Sequence, residues 1–371
     1  MTAVAITGWS ALTSAGIGPE AVAAALAQTN GGLHPGHEVA HLYEHRLPAQ
    51  TGHALVDFDV RDHLDRKGTS FLDRCTSLVL VTCGHALTDS ALEVDDETRD
   101  RIGVMLGTTS GSLRSMSDYT RETLIEERPY LVNPALFPNT VINCAAGQTA
   151  IRYGLRGVNS TLAAGQIAFP AVLRYAARTL RRRGADALVA GAVEEFTPHR
   201  AWVTHLTQAQ DAGLPVGEGS AVFVVERAEE ARRAGRHVDA EVLAAVTAFC
   251  PTNGQRDGLA KGFAACVRRA LDQAGVEPGE VALVAAGAAG GVEEAVLAEA
   301  LGRDVETIRV KSVFGECDAA SGALQAASVL ALHRDDPARD GQVSLLTAWT
   351  REGGVGAVVL RGWSRGGRGR G

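Results

Sequence analysis

The feature that most constrains this chain is an alternation of short apolar strands with amphipathic helices, running almost end to end and falling into two series. The first series opens with the strand "VAITG" and the helix "PEAVAAALAQ", followed by a His- and Pro-containing excursion over residues 30–70. A helix near 72–92, the strand "RIGVMLGTT", helices near 112–127 and 140–155, the strand "STLAAG", a helix over 166–183 and the strand "ADALVAGAVEE" complete it. The second begins near residue 238: strand "DAEVLAAVTAFC", helix "GLAKGFAACVRRALDQAG", strand "VALVAAGAAG", helix "GVEEAVLAEALG", strand "IRVKSVFG", helix "DAASGALQAASVLALHR", and two strands around "REGG". Such alternation predicts an α/β protein whose buried sheets are covered by helices. Strand–glycine–helix junctions at 163–166 and 313–322 sit in comparable places, so the two series read as a pseudo-duplication. The halves are expected over 1–237 and 238–363, with a basic, glycine-rich tail at 364–371 expected to fray. No linker rich in Pro, Ser or charge separates them, which predicts one welded body.

Composition narrows the function. An apolar fraction of 46% with 21% charged residues is ordinary for a globular protein, and aromatics at 5% amid abundant Ala and Gly predict close helix–sheet packing by small side chains. A formal net charge of −7 gives no reason to expect nucleic acid or an anionic membrane as partner. Six scattered cysteines without a CxxC pair argue against a zinc site or a disulfide framework and suit a reducing cytoplasm. The first residues lack a basic n-region, and no apolar run reaches the ~18–20 residues of a membrane span. The histidines show no metal spacing, His199 and His205 being six apart. "GAAGG" and "REGG" lack the form of phosphate-binding loops.

The junction "STLAAGQIAFPAVL" poses the central chemical question. A residue on a strand-to-helix turn faces the positive end of a helix dipole, which lowers a thiol's pKa and suits a cysteine nucleophile. Here the position holds Gln166, whose amide is no nucleophile.

Four stretches together resemble the β-ketoacyl synthases of the thiolase-like superfamily. "GLRGVNSTLAAGQIAFPAVLRYAARTLRRRGADALVAGAVEE" resembles the nucleophile segment, and "FPNTVINCAAGQTAIRYGLRG" the "PNxxAGxxAIxxGLxG" helix. "DAGLPVGEGSAVFVVE" is similar to "DGxxxGEGAxxxVLE", and "VKSVFGECDAASGALQ" to "KSxxGHxxGAAG". The order and spacing match over nearly the whole chain. The resemblance implies a thiolase-like fold of two αβαβα halves forming a five-layered body. It also implies that the family's catalytic cysteine falls at Gln166, its first histidine at Gly287 and its second at Glu316. Lys311 of "KS" is retained, with Glu218 and Gly219 of "GEG", while the glycine-rich gate departs at residues 350–354.

Those losses are coherent. Condensation needs a thiolate to hold the acyl chain and two imidazoles to steady the enolate. Loss of one oxyanion donor alone typically costs about 10²–10³ in rate. A ketosynthase-like chain with glutamine in place of the cysteine resembles the chain length factor of type II polyketide synthases. That resemblance implies a heterodimer with an active ketosynthase subunit. An acyl carrier protein would present a phosphopantetheine-bound chain, and this subunit would shape the tunnel in which the chain grows. No metal or bound cofactor of its own is expected. In ketosynthase dimers the helix after the strand "GVMLGTT" reaches towards the partner's tunnel, so the resemblance implies tunnel and interface residues at Ser115, Met116 and Tyr119, which can share a helical face. Cys317 and Cys144 are expected to be packing thiols, and Glu316 a solvated or lysine-paired carboxylate. Two alternatives stand beside this reading: a ketosynthase-like decarboxylase of malonyl-carrier protein, which the loss of both histidines disfavours, and a purely structural ketosynthase partner.

Overall fold

The computed structural model describes residues 3–29, 32–65, 67–207, 214–251, 256–287 and 291–366, with the side chains of 256 and 257 outside the description. Ten main strands are found among them. The first five are β1 (Val4–Thr13), β2 (Ile102–Thr108), β3 (Asn159–Ala163), β4 (Ala187–Glu194) and β5 (Gly219–Arg227). The second five are β6 (Ala240–Phe249), β7 (Val281–Ala286), β8 (Glu306–Arg309), β9 (Val343–Trp349) and β10 (Gly354–Gly362).

The pseudo-duplication is explicit in the topology. One leaf of sheet has the order β3-β2-β4-β5-β1 and the other β8-β7-β9-β10-β6, so each strand has a counterpart at the same place. The pairings repeat too. β2 lies parallel to β3 and β4, and β7 parallel to β8 and β9; the last two pairings of each leaf are antiparallel. The leaves are stitched at one edge by three antiparallel partners, Val4 with Val242, Ala5 with Glu241 and Ile6 with Ala240.

Helices fill three layers. Between the leaves run α5 (Ala168–Arg181) and α11 (Ala319–Arg334), residues of both joining a single core with strands of each leaf. Sheet lies on both sides of α11, which therefore has no polar face: Ala319, Ala320, Ala323, Leu324, Ala326, Ala327, Val329 and Leu330 are all buried. Helices α2 (Arg74–Ser90) and α4 (Cys144–Tyr153) cover the outer face of the first leaf. Helices α8 (Arg256–Ala274) and α9 (Gly291–Leu301) cover that of the second. The close approach is possible because strand residues are small: a Cβ on Gly8 of β1 would stand 2.3 Å from the Ser90 backbone nitrogen of α2. The expected five-layered thiolase-like body is thus observed.

Five further helices decorate this frame: α1 (Pro19–Thr29), α3 (Leu113–Ile125), α6 (Pro198–Thr207), α7 (Ala228–Arg233) and the single turn α10 (Val310–Phe314). α10 corrects the sequence reading: "IRVKSVFG" is strand only as far as Arg309, and Lys311 lies on helix. At the start of the tail the expectation of fraying is corrected for Ser364 and Arg365. Ser364 is buried, and Arg365 is clasped between Asp89 of the first half (2.7 Å) and Asp239 (2.6 Å). Residues 367–371 lie outside the described residues. No helix of the described residues is long and apolar enough to cross a membrane.

Candidate functional site

The three positions that the sequence singled out as substituted come together around Lys311. Gln166 sits on a 3₁₀ turn (Gly165–Ile167) between β3 and α5, and Glu316 on the matching bend before α11, so each half delivers one of them at the start of a central helix. The Lys311 Nζ donates to Gln166 Oε1 at 2.8 Å and to Glu316 Oε2 at 2.7 Å. An ammonium has no lone pair to offer, so the amide of Gln166 must face it with oxygen and turn its NH₂ away. The other Glu316 oxygen accepts from the Asp318 backbone N–H at 3.0 Å and lies 3.5 Å from Ser321 Oγ.

Gly287 forms the third side. Its carbonyl accepts from the Lys311 N–H (3.0 Å), and its own N–H donates to Glu293 Oε2 (3.0 Å), whose other oxygen accepts from Thr347 Oγ1 (2.6 Å). A Cβ at 287 would already lie 3.3 Å from both Lys311 Cε and Glu293 Oε2. The lysine stem fills the space that an imidazole at 287 would need.

This is a buried ionic cluster: Lys311, Glu316 and Glu293 are each less than a tenth exposed. Burial works against the charge on Lys311, but the Glu316 carboxylate outweighs it and holds the ammonium's pKa above its usual range. Of the two states expected for Glu316, solvated or lysine-paired, the structure has the paired one. The cluster holds no nucleophile. Cys317, next to Glu316, is fully buried, donates to the Phe314 carbonyl at 3.2 Å, and has its thiol pKa pushed well up, chiefly by burial. Cys144 is half-buried between Thr76 and Asn139.

A second charge chain lies behind the first. Arg200 of α6 is buried and pairs with Glu194 at the end of β4 (3.1 Å) and with Asp318. Asp318 carries φ = +38°, a backbone conformation unfavourable for a side-chain-bearing residue, and these bonds hold it there. Glu218 of the "GEG" stretch is a structural buttress, fully buried and accepting from Arg74 and from the Leu55 and Phe196 backbone N–H groups. The departed gate is the turn after β9, where the Gly354 N–H donates to Thr350 Oγ1 at 3.1 Å. Glu293, Thr347, Arg200 and Asp318 had no sequence signal as site residues; only the tertiary fold brings them in.

Ser115, Met116 and Tyr119 all lie on α3, but their side chains part company. Met116 lines an apolar groove of about 790 Å³ between α3 and α6, together with Leu113, Leu124, Trp202 and Val203. Tyr119 packs against Phe137, ring centres 5.9 Å apart, and Ser115 Oγ lies 2.9 Å from Ser112 Oγ. His199 also lines the groove, and His205 meets the Trp202 ring edge-on.

Residues 1–231 match the sequence model of the β-ketoacyl synthase N-terminal domain. The chain belongs to the β-ketoacyl synthase family. Among curated relatives, 3-oxoacyl-[acyl-carrier-protein] synthase 2 of Staphylococcus aureus (strain N315) is 28% identical over 248 residues, covering 61% of this chain and 59% of the relative. The chain thus matches about three fifths of the length of such relatives. A solved structure described as the ishigamide ketosynthase/chain length factor superposes with a TM-score of 0.85 at 34% identity, covering 97% of this chain and 99% of the other. A type II polyketide acyl-carrier protein in complex with its hexaketide-bound ketosynthase gives a TM-score of 0.77 at 18% identity over 98% of this chain and 100% of that one, a likeness of fold.

Proposed function

We propose that this chain is the non-condensing, chain-length-determining subunit of a heterodimeric type II polyketide ketosynthase. The observation that carries the reading is the lysine-centred cluster: Gln166 and Glu316, which the resemblance assigns to the cysteine and histidine positions of the family, are tied to one ammonium. Such a centre offers neither a thiolate to hold an acyl chain nor a neutral imidazole to steady an enolate. The partner subunit supplies both, and an acyl carrier protein brings the phosphopantetheine-bound chain to the pair. The contribution of this chain is then shape. The apolar groove between α3 and α6, with Met116 in its wall, supports a role in bounding the space available to a growing chain.

The test is co-expression with a ketosynthase encoded alongside it, followed by purification, malonyl condensation on a carrier protein, and product sizing. Activity should need both chains and vanish with the partner's cysteine, while Gln166→Ala leaves it in place. Enlarging Met116 to Trp should shorten the products. Condensation that needs the complex but yields the same products across a Met116 series would leave a purely structural partner. Decarboxylation of malonyl-carrier protein by this chain alone, lost in Gln166→Ala, would overturn the proposal in favour of a decarboxylase.

A further inference from the structure

The groove has two walls, fixed to the body in different ways. α6 is locked by buried Arg200, which grips Glu194 and Asp318. α3 carries no fully buried side chain, so no apolar stripe sinks it into the core. Two of its side-chain ties, Tyr119 to Phe137 and Glu122 to the Asn133 N–H (2.7 Å), reach only the largely exposed 133–137 segment. The Arg114 guanidinium stacks over Tyr43 at 5.5 Å.

A further attachment is at the first turn. Glu195, in the link between β4 and α6, is 1% exposed, and its carboxyl faces the hydroxyl of Ser112, the N-cap of α3, at 3.2 and 3.3 Å. It also accepts from the Arg114 backbone N–H at 3.3 Å. The nearby arginines are committed elsewhere: Arg74 to Glu218, Arg200 to Glu194 and Asp318, and Arg114 to Asp118. A buried carboxyl without a cation is expensive to keep ionised, and it stands at the joint from which both walls of the groove spring.

We propose that Glu195 is the positioning residue that fastens α3 to the body and so sets the width of the groove. The proposal rests on the function assigned above only for its consequence, not for the fastening itself.

The groups facing Glu195 are Asp73, Arg74 and Cys75 at the start of α2, Glu194 on β4, Ser112 and Arg114 on α3, and Tyr43. Burial, then the neighbouring Asp73 carboxylate, raises the Glu195 pKa to about 8. Docked, Glu195 therefore keeps its proton up to about pH 8, and its carbonyl oxygen accepts from α3; detached and hydrated, it releases the proton near 4.5. Raising the pH across that window favours the detached helix, by up to about tenfold in the opening equilibrium per pH unit. Above the docked value the dependence levels off.

Hydrogen exchange of the α3 amides in the full chain tests this, with intrinsic rates divided out. In the parent, opening of residues 113–118 should rise with pH between 6 and 8 and then flatten. In Glu195→Gln, which keeps volume and acceptor but cannot ionise, the profile should be flat. A flat parent profile, or an unchanged slope in Glu195→Gln, refutes the proposal. Product sizing of the heterodimer against pH separates the two ideas. If exchange behaves as expected while product lengths ignore both pH and substitution, Glu195 still fastens α3, and the chain-length function falls instead.

Discussion

The Lys311–Glu316 pair gives the sharpest test of the site. Both residues are nearly excluded from solvent, 8% and 5% exposed, and Lys311 directs two of its three N–H donors to Glu316 at 2.7 Å and Gln166 at 2.8 Å. Lys311→Met removes the charge but keeps the stem, leaving a carboxylate with only the Asp318 N–H and a distant Ser321 hydroxyl. Stranding one member of such a pair typically costs about 3–5 kcal/mol. Glu316→Gln strands the ammonium and should cost a similar amount. The double variant strands neither, and its amide still accepts from Asp318, so about 1–2 kcal/mol is expected. The coupling is then at least about 4 kcal/mol, read as urea midpoints at constant m-value in a double-mutant cycle. Additivity within about 0.5 kcal/mol would falsify the ion-pair reading of this centre. The pH dependence has a definite sign. Because the folded pKa of Lys311 is raised, its contribution is complete below the unfolded value near 10.4 and is lost as pH rises through the folded one.

Other consequences are equally concrete. Gln166→Cys places a thiol beside the Lys311 ammonium, so iodoacetamide should alkylate it at pH 7 about ten times faster than free cysteine, yet no condensation should appear; an ordinary alkylation rate would mean that the ammonium does not reach it. His53 is fully buried and its pKa is lowered to about 4, mainly by burial, so its neutral form stabilises the fold above the unfolded pKa near 6.5. Thermal midpoints should fall as pH drops from 6.5 to 4, less steeply in His53→Gln, and an identical profile in the variant would move the effect to another group. Arg365→Ala leaves Asp239, 3% exposed, without its main cation. That should lower stability by about 3 kcal/mol and expose the C-terminal residues to proteolysis; unchanged midpoints would show the clasp to be dispensable.

The fold was largely legible because its signals are local. Strand–helix alternation, the Gly-rich junctions before α5 and α11, and the absence of a linker each follow from short windows of sequence, and the two leaves repeat their order as the two series do. The resemblance pointed to positions 166, 287 and 316 and to Lys311 as a retained polar residue, and the structure brings these four together. The grip of Lys311 on Gln166, 145 residues away, was not legible, because which side chain an ammonium meets is decided by two helices arriving from different halves. "IRVKSVFG" was misread where its β-branched residues favoured strand beyond Arg309, while the chain turns into α10 to bring Lys311 inward. The side-chain directions on α3 escaped for a related reason: spacing places Met116 and Tyr119 on nearby faces, and only the positions of α6 and Phe137 decide where each points.

The twin leaves have an evolutionary corollary. Each half supplies one end of the central cluster, Gln166 from the first and Glu316 with Lys311 from the second, so neither half alone can be judged fit or unfit at these positions. A lineage that exchanges the residue at 166 for a thiol, or that at 316 for an imidazole, alters the partner of a buried charge in the other half. Changes at 166, 287, 311 and 316 should therefore pass down descent lines as a linked set, and installing a thiol and imidazoles there should require several of them at once.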